Sequence, residues 1–227
     1  MKRRHKTAAE RMRWMHDRLA EAYGPQHWWP AKTPFEVILG AYLTQNTSWK
    51  AVERSLENLR AARALTVEGL RGLSLEELRE CIRPSGFYTR KAPALKAFVA
   101  MLDAEFHGSL KKMAAAPTAV IRARLLELPG VGQETADAIL LYALGHAVPV
   151  ADEYLRRIVE RHGLVELKPG ARSYEVLAGL TREAFAGEQA RLFNEFHALT
   201  VAVGKAHCGR TARCEGCPLE GDLKGSF

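Results

Sequence analysis

Apolar positions recur every three to four residues along nearly the whole chain, and nowhere do they alternate with polar ones over a stretch long enough for a strand. The expected architecture is all-α. Thr7 stands where an N-cap should, ahead of an amphipathic run from Ala8 to Tyr23 that Gly24-Pro25 stops. Thr33-Pro34 joins a capping hydroxyl to a proline at the first helical position and opens a helix through Leu43. Another helix is expected from Trp49 to near Arg63. Ser74 and Glu77 form a capping box for the next, which ends before Pro84-Ser85-Gly86. A long helix should run from near Arg90 to Phe106, with Pro93 in its first turn and Gly108 beyond its end, and a further one leads up to Leu128. Beyond Asp152, helices near Glu153 to Arg161, Ser173 to Phe185 and Glu188 to Val203 lead into a cysteine-bearing tail.

Within this helical pattern one turn stands out. Leu128-Pro129-Gly130-Val131-Gly132 packs two glycines between apolar residues. Glycine takes the positive φ a sharp reversal needs, and without a Cβ it admits another backbone or a phosphate. Ala136, Ile139, Leu140 and Ala143 then recur at helical spacing, with Gly145 as a C′ residue. The turn thus feeds a helix N-terminus, whose unpaired N–H groups and positive dipole end favour a phosphate. Helical bundles turn ordinary corners in the same way, so both readings stay open on the turn alone. Asp152 follows Pro149-Val150-Ala151 and reads as the N-cap of the next helix, a role that needs no function by itself.

Composition narrows the field. A chain of 227 residues, 47% hydrophobic and 26% charged, can bury a real core in one large or two small domains. No apolar run reaches the roughly 18 residues that span a bilayer, and MKRRHK leads into an amphipathic helix without a signal-like apolar segment, so a cytoplasmic protein off the membrane is expected. The net charge of +7 favours a polyanion partner. Lys2, Arg3, Arg4, Lys6, Arg11, Arg13 and Arg18 crowd the start, either as a phosphate-contacting surface or as a solvated helix face. Of four cysteines, Cys208, Cys214 and Cys217 form C-x5-C-x2-C beside Lys205, Arg210 and Arg213, a spacing that points to a metal rather than to disulfides in a reducing compartment. Cys81 stands apart as a buried thiol.

Taken together, the LPGVG turn, a helix of about three turns and an Asp opening the next helix resemble the helix-hairpin-helix DNA glycosylases of the endonuclease III and adenine glycosylase superfamily. The resemblance runs from near Pro34 to Pro218. It implies that residues 31–148 form a six-helix domain carrying the hairpin, that residues 1–30 plus 149–227 form a second helical domain with an iron–sulfur loop, and that the active site lies in the groove between them. In the family the hairpin grips the DNA backbone, which assigns that role to Leu128, Gly130, Val131, Gly132 and Gln133. Leu43-Thr44-Gln45-Asn46-Thr47 resembles the loop that pushes a polar side chain into the gap left by a flipped base, with Asn46 at the wedge position and Gln45 the alternative; read alone it is a polar loop. Ile82 to Ala92 matches a structural segment. Asp152 falls where the family keeps the carboxylate that drives base excision. The implied partner is double-stranded DNA containing a damaged base, bound by a monomer.

Two departures shape the expected chemistry. Bifunctional members carry a lysine two residues beyond the second hairpin glycine, where this chain has Glu134, and without an amine no Schiff base forms there. A monofunctional glycosylase with weak or no AP-lyase activity is implied. The run from Gly132 to Leu140 is closer to endonuclease III-like 3-methyladenine glycosylases; Glu134 either faces the pocket and favours a cationic base or complements the helix dipole. The family also holds a [4Fe–4S] cluster on C-x6-C-x2-C-x5-C. Here one spacer is shorter, and Leu223 takes the place of the fourth cysteine with Asp222 just before it. The implied ligands are Cys208, Cys214, Cys217 and Asp222, with His207 second to Asp222. Zinc on three cysteines and His207 is the competing metal. Against the enzyme stands a helix-hairpin-helix DNA-binding protein that has lost catalysis, and the lesion is open between oxidised pyrimidines and N-alkylated purines.

Overall fold

The computed structural model describes residues 6–29, 31–168 and 172–223. Among them the fold is all-α, with a lone bridge between Cys208 and Ala212 as its only extended pairing. The chain divides into two compact units, one made of Met1–Trp28 and Ala147–Phe227, the other of Trp29–His146. No described helix is long and apolar enough to cross a membrane.

In the unit Trp29–His146 the helices are α2 (Pro34–Leu43), α3 (Trp49–Ala61), α4 (Val67–Gly72), α5 (Leu75–Ile82), α6 (Tyr88–Phe106), α7 (Leu110–Ala114), α8 (Thr118–Glu127) and α9 (Gln133–Ala138). The other unit holds α1 (Ala8–Tyr23), α10 (Glu153–Arg161), α11 (Arg172–Ala184), α12 (Ala190–Ala206) and the short α13 (Glu220–Leu223). The caps act as the side chains dictate. Thr7 with Glu10 and Ser74 with Glu77 close reciprocal capping boxes, and the Thr33 hydroxyl accepts from the Glu36 amide with Pro34 starting the helix.

α2 is apolar almost all round, and every residue from Phe35 to Leu43 is buried. Its one acid, Glu36, is tolerated there because Arg60 Nη2 donates to it at 2.7 Å and the Lys32 amide at 3.0 Å. Around it α3 packs on α5, α5 on α6, and α2 on α3 and α6. Ile38, Leu43, Leu59, Leu78 and Leu95 are buried in this unit, each worth about 1.5–3 kcal/mol over leaving it exposed. In the other unit α1 packs on α11 and α12, and α10 on α12. Gly204 sets the last contact: a Cβ there would stand 2.2 Å from the Tyr154 ring, so only glycine lets the two helices meet.

Three differences from the sequence reading have physical causes. α4, α7 and α13 are too short to show a helical period. α6 starts earlier than expected, at Tyr88, behind a left-handed Phe87 with φ +48°, so Pro93 lies inside the helix rather than in its first turn. The helix after the hairpin is α only to Ala138 and then widens to π geometry over Ile139–Ala143.

Candidate active site

Asp152 caps α10. Its Oδ1 accepts the Leu155 N–H at 2.8 Å, and its Oδ2 lies 3.5 Å from His197 Nε2. Both side chains are nearly enclosed, Asp152 at 9% and His197 at 6% exposure. The Trp28 ring leans on the imidazole, with centroids 5.3 Å apart. The neighbouring acid is differently placed: Glu153 is exposed, and Arg156 at 2.6 Å and Arg157 at 3.0 Å occupy its carboxylate. Of the two adjacent carboxylates, Asp152 is the one held in a sheltered, fixed orientation. Neither Trp28 nor His197 carries a sequence signal for this contact, which arises only when α12 folds onto α10.

The hairpin turns on Gly130. Gly130 takes φ +75°, and the Val131 amide closes the turn onto the Leu128 carbonyl at 3.2 Å. Val131 is buried and anchors the turn, whereas Gly130 and Gly132 are exposed and Gln133 is half-buried. Gly132 is the N-cap of α9 and contributes no side-chain cap. Glu134, in the first turn of α9, is exposed. Asp137, unremarked in the sequence, is almost fully buried and receives Arg122 Nε at 2.7 Å and Nη2 at 3.0 Å, a bidentate pair that ties α8 to α9 across the hairpin.

The polar loop after α2 meets this hairpin. Gln45 points its amide at it, and Asn46 sits exposed at the tip with φ +53°, a left-handed position that asparagine tolerates. The loop's root is fixed by Lys91. This buried ammonium donates to the carbonyls of Leu43 at 2.8 Å and Ser85 at 2.9 Å, and burial pushes it down to about 8.

The cysteines Cys208, Cys214 and Cys217 are free thiols on the wall of one cavity of about 200 Å³, with Ile158, Val203 and Leu219 as apolar lining and His207 beside them. Arg161 Nη1 donates to Cys208 Sγ at 3.1 Å, and its Nη2 to the Arg210 carbonyl at 2.8 Å. The Cys217 thiol is pushed up by burial first and then by the two other cysteines, a repulsion that a bound cationic metal relieves. Among the described residues no three His, Cys, Asp or Glu side chains converge on a single-ion site.

Asp222, expected as the fourth ligand, is engaged elsewhere and does not line the cavity. Arg11 Nε and Nη2 donate to its two oxygens at 2.9 and 2.6 Å, and His162 Nδ1 meets Oδ2 at 2.7 Å. Burial pushes this carboxyl up, but His162 and Arg11 outweigh it and hold it below its ordinary value. The same contact draws Arg11 out of the expected N-terminal basic surface. Arg18 pairs with Glu21, and Lys2, Arg3 and Arg4 lie outside the described residues.

The family model for the HhH-GPD superfamily of base excision DNA repair proteins matches residues 39–180. A protein of Methanocaldococcus jannaschii, named among DNA repair glycosylases, is 40% identical over 204 residues, which cover 89% of this chain and 90% of the relative. The crystal structure of H. pylori 3-methyladenine DNA glycosylase bound to 1,N6-ethenoadenine aligns with a TM-score of 0.73 at 30% identity, over 88% of this chain and 98% of that one. A non-covalent endonuclease III–DNA complex shares the fold, with a TM-score of 0.76 at 22% identity over 96% of this chain and 97% of that one. The chain belongs to the HhH-GPD superfamily of base excision DNA repair proteins.

Proposed function

We propose that this chain is a monofunctional DNA glycosylase that removes a damaged base from duplex DNA and leaves an abasic site. The observation that carries the reading is Asp152, sheltered and fixed by the Leu155 amide, in a chain whose hairpin presents Glu134 in place of an amine. A glycosylase must extrude its target nucleotide, because the glycosidic bond is out of reach inside the stack. As the base departs, positive charge develops on the sugar. A fixed carboxylate stabilises that charge and orients a water to attack it, and Asp152 takes both roles. Gly130 and Gly132, without Cβ atoms, let backbone amides approach a phosphate, with Leu128, Val131 and Gln133 completing the grip. Asn46, at the exposed loop tip, fills the gap left in the duplex, and Gln45 holds the loop to the hairpin. N-alkylated purines are the lesion class favoured here, on the 30% likeness to a 3-methyladenine glycosylase.

Cys208, Cys214 and Cys217 fit an iron–sulfur cluster at three positions. Their thiols line one cavity, and three cysteine donors at this spacing suit an iron–sulfur cluster. His207 replaces Asp222 as the fourth donor. Its Nδ1 faces the Arg213 carbonyl at 3.0 Å, which holds the ring proton there and leaves Nε2 to ligate. Such a cluster, when bound, orders the basic loop around Arg210 and Arg213.

Duplexes each carrying one damaged base test the reading. Free base released from at least one of them, an abasic product and no borohydride-trapped adduct are expected. Asp152→Asn should bind the same duplex and release base slower by orders of magnitude; near-wild-type release by that variant, or a trapped adduct with the wild-type protein, overturns the proposal.

A further inference from the structure

Resting on the role proposed for Asp152, a second residue enters the same site. An N-cap carboxylate is ordinarily held by one oxygen only, the one that accepts from the helix amide. In this chain the Leu155 N–H takes Oδ1, and the other oxygen would swing freely were it not for α12. His197 Nε2 stands 3.5 Å from Oδ2, from a helix far along the sequence. The imidazole is itself confined, at 6% exposure and with the Trp28 ring tilted 45° against it.

The packing that delivers His197 is specific. His197 and Gly204 lie two helical turns apart on one face of α12, and both meet the first residues of α10, His197 at Asp152 and Gly204 at Tyr154. Because Gly204 allows the two helices to touch, the imidazole reaches the carboxylate across a contact too close for any other residue. A histidine spent merely on filling the core would have no need to face an acid, and a cap spent merely on starting a helix would have no need of a second partner.

We infer that His197 is a positioning residue for Asp152: wedged between Trp28 and the carboxylate, it fixes the orientation of Oδ2 so that both oxygens hold one geometry while a sugar cation forms beside them. It does not itself touch the DNA base. A misplaced carboxylate loses rate through orientation, on the order of 10- to 100-fold, without weakening the grip on the duplex.

Three measurements decide this. Between the wild-type protein and Asp152→Asn the ring ¹⁵N signals of His197 should differ, whereas those of His146, which bonds Thr118 in the other unit, should not; unmoved His197 signals overturn the contact. With a duplex the wild-type protein processes, His197→Ala should slow single-turnover base release about 10- to 100-fold at unchanged duplex affinity. His197→Gln, which keeps a polar side chain of similar reach against the carboxylate, should recover most of that rate. Wild-type release by His197→Ala overturns the positioning role, as does a loss in both variants that tracks a collapse in melting temperature or DNA affinity. If the wild-type protein releases base from no duplex, the glycosylase reading falls and this role falls with it, whatever the ring signals show.

Discussion

Gln45 donates from Nε2 to the Gly130 carbonyl at 2.9 Å and, with its second hydrogen, to the Thr135 hydroxyl at 2.9 Å. One side chain thus ties the loop after α2 to both the turn and the first helical residues of the hairpin. Such partly exposed bonds contribute about 0.5–1.5 kcal/mol each. Gln45→Ala is therefore expected to leave the fold intact but raise the dissociation constant for an undamaged duplex about 3- to 10-fold, measured by fluorescence anisotropy. Asn46→Ala, which leaves the tie in place, should slow release of a damaged base with less effect on undamaged DNA. Equal effects of the two variants in both assays would dissolve the division of labour.

Asp222 holds the C-terminal segment through Arg11 and His162. With both oxygens bound by Arg11 and His162, Asp222→Asn should lower unfolding free energy by about 1.5–3 kcal/mol in denaturant titrations while iron and sulfide per chain stay at the wild-type level. Cys214→Ser and His207→Ala should do the reverse, losing iron with smaller changes in stability. Iron loss in Asp222→Asn with an intact fold would restore the carboxylate as a ligand.

These residues mark what a sequence discloses and what it withholds. Thr7, Thr33, Ser74 and Asp152 were readable as caps because a cap is a local bargain between a side chain and amides two or three residues on. The hairpin was readable because its turn needs a positive φ, which Gly130 supplies. His197, Lys91 and Asp222 were not, since each finds its partner across the fold, where spacing carries no information. Asp222 lies one position from a family cysteine, and the short α13 turns its carboxylate onto Arg11 and His162, contacts that spacing along the chain does not announce.

Lys91 gives the fold a pH dependence of known sign. Burial pushes the folded ammonium down to about 8, below the ordinary lysine value near 10.5. Between these values the unfolded chain binds more protons than the folded one, so the contribution of Lys91 to stability is present above the unfolded value and is lost as pH falls through about 8. Lys91→Met removes this term along with the two carbonyl bonds. The cost of the substitution should be larger at pH 9.5 than at pH 7.5 by about 1–2 kcal/mol, read from denaturant midpoints at the two pH values. A cost that shrinks with pH would mean that the charged form is the one the site prefers.

Glu134 bears on the proposed lack of strand cleavage. The residue occupies the first turn of α9, where a carboxylate complements the helix dipole by about 0.3–1 kcal/mol, and its side chain is exposed. Glu134→Gln should accordingly cost little stability and change base release by no more than about threefold. Glu134→Lys supplies the amine the hairpin lacks, so borohydride should trap a covalent adduct with this variant and none with the wild-type protein. The adduct should vanish again in Glu134→Lys combined with Asp152→Asn when the duplex carries a damaged base, because excision must open the sugar to attack, and should persist in part on a duplex that already contains an abasic site. A lysine variant that traps neither substrate would show that position 134 does not face the reacting sugar and that the missing amine there is no ground for the proposed lack of lyase chemistry.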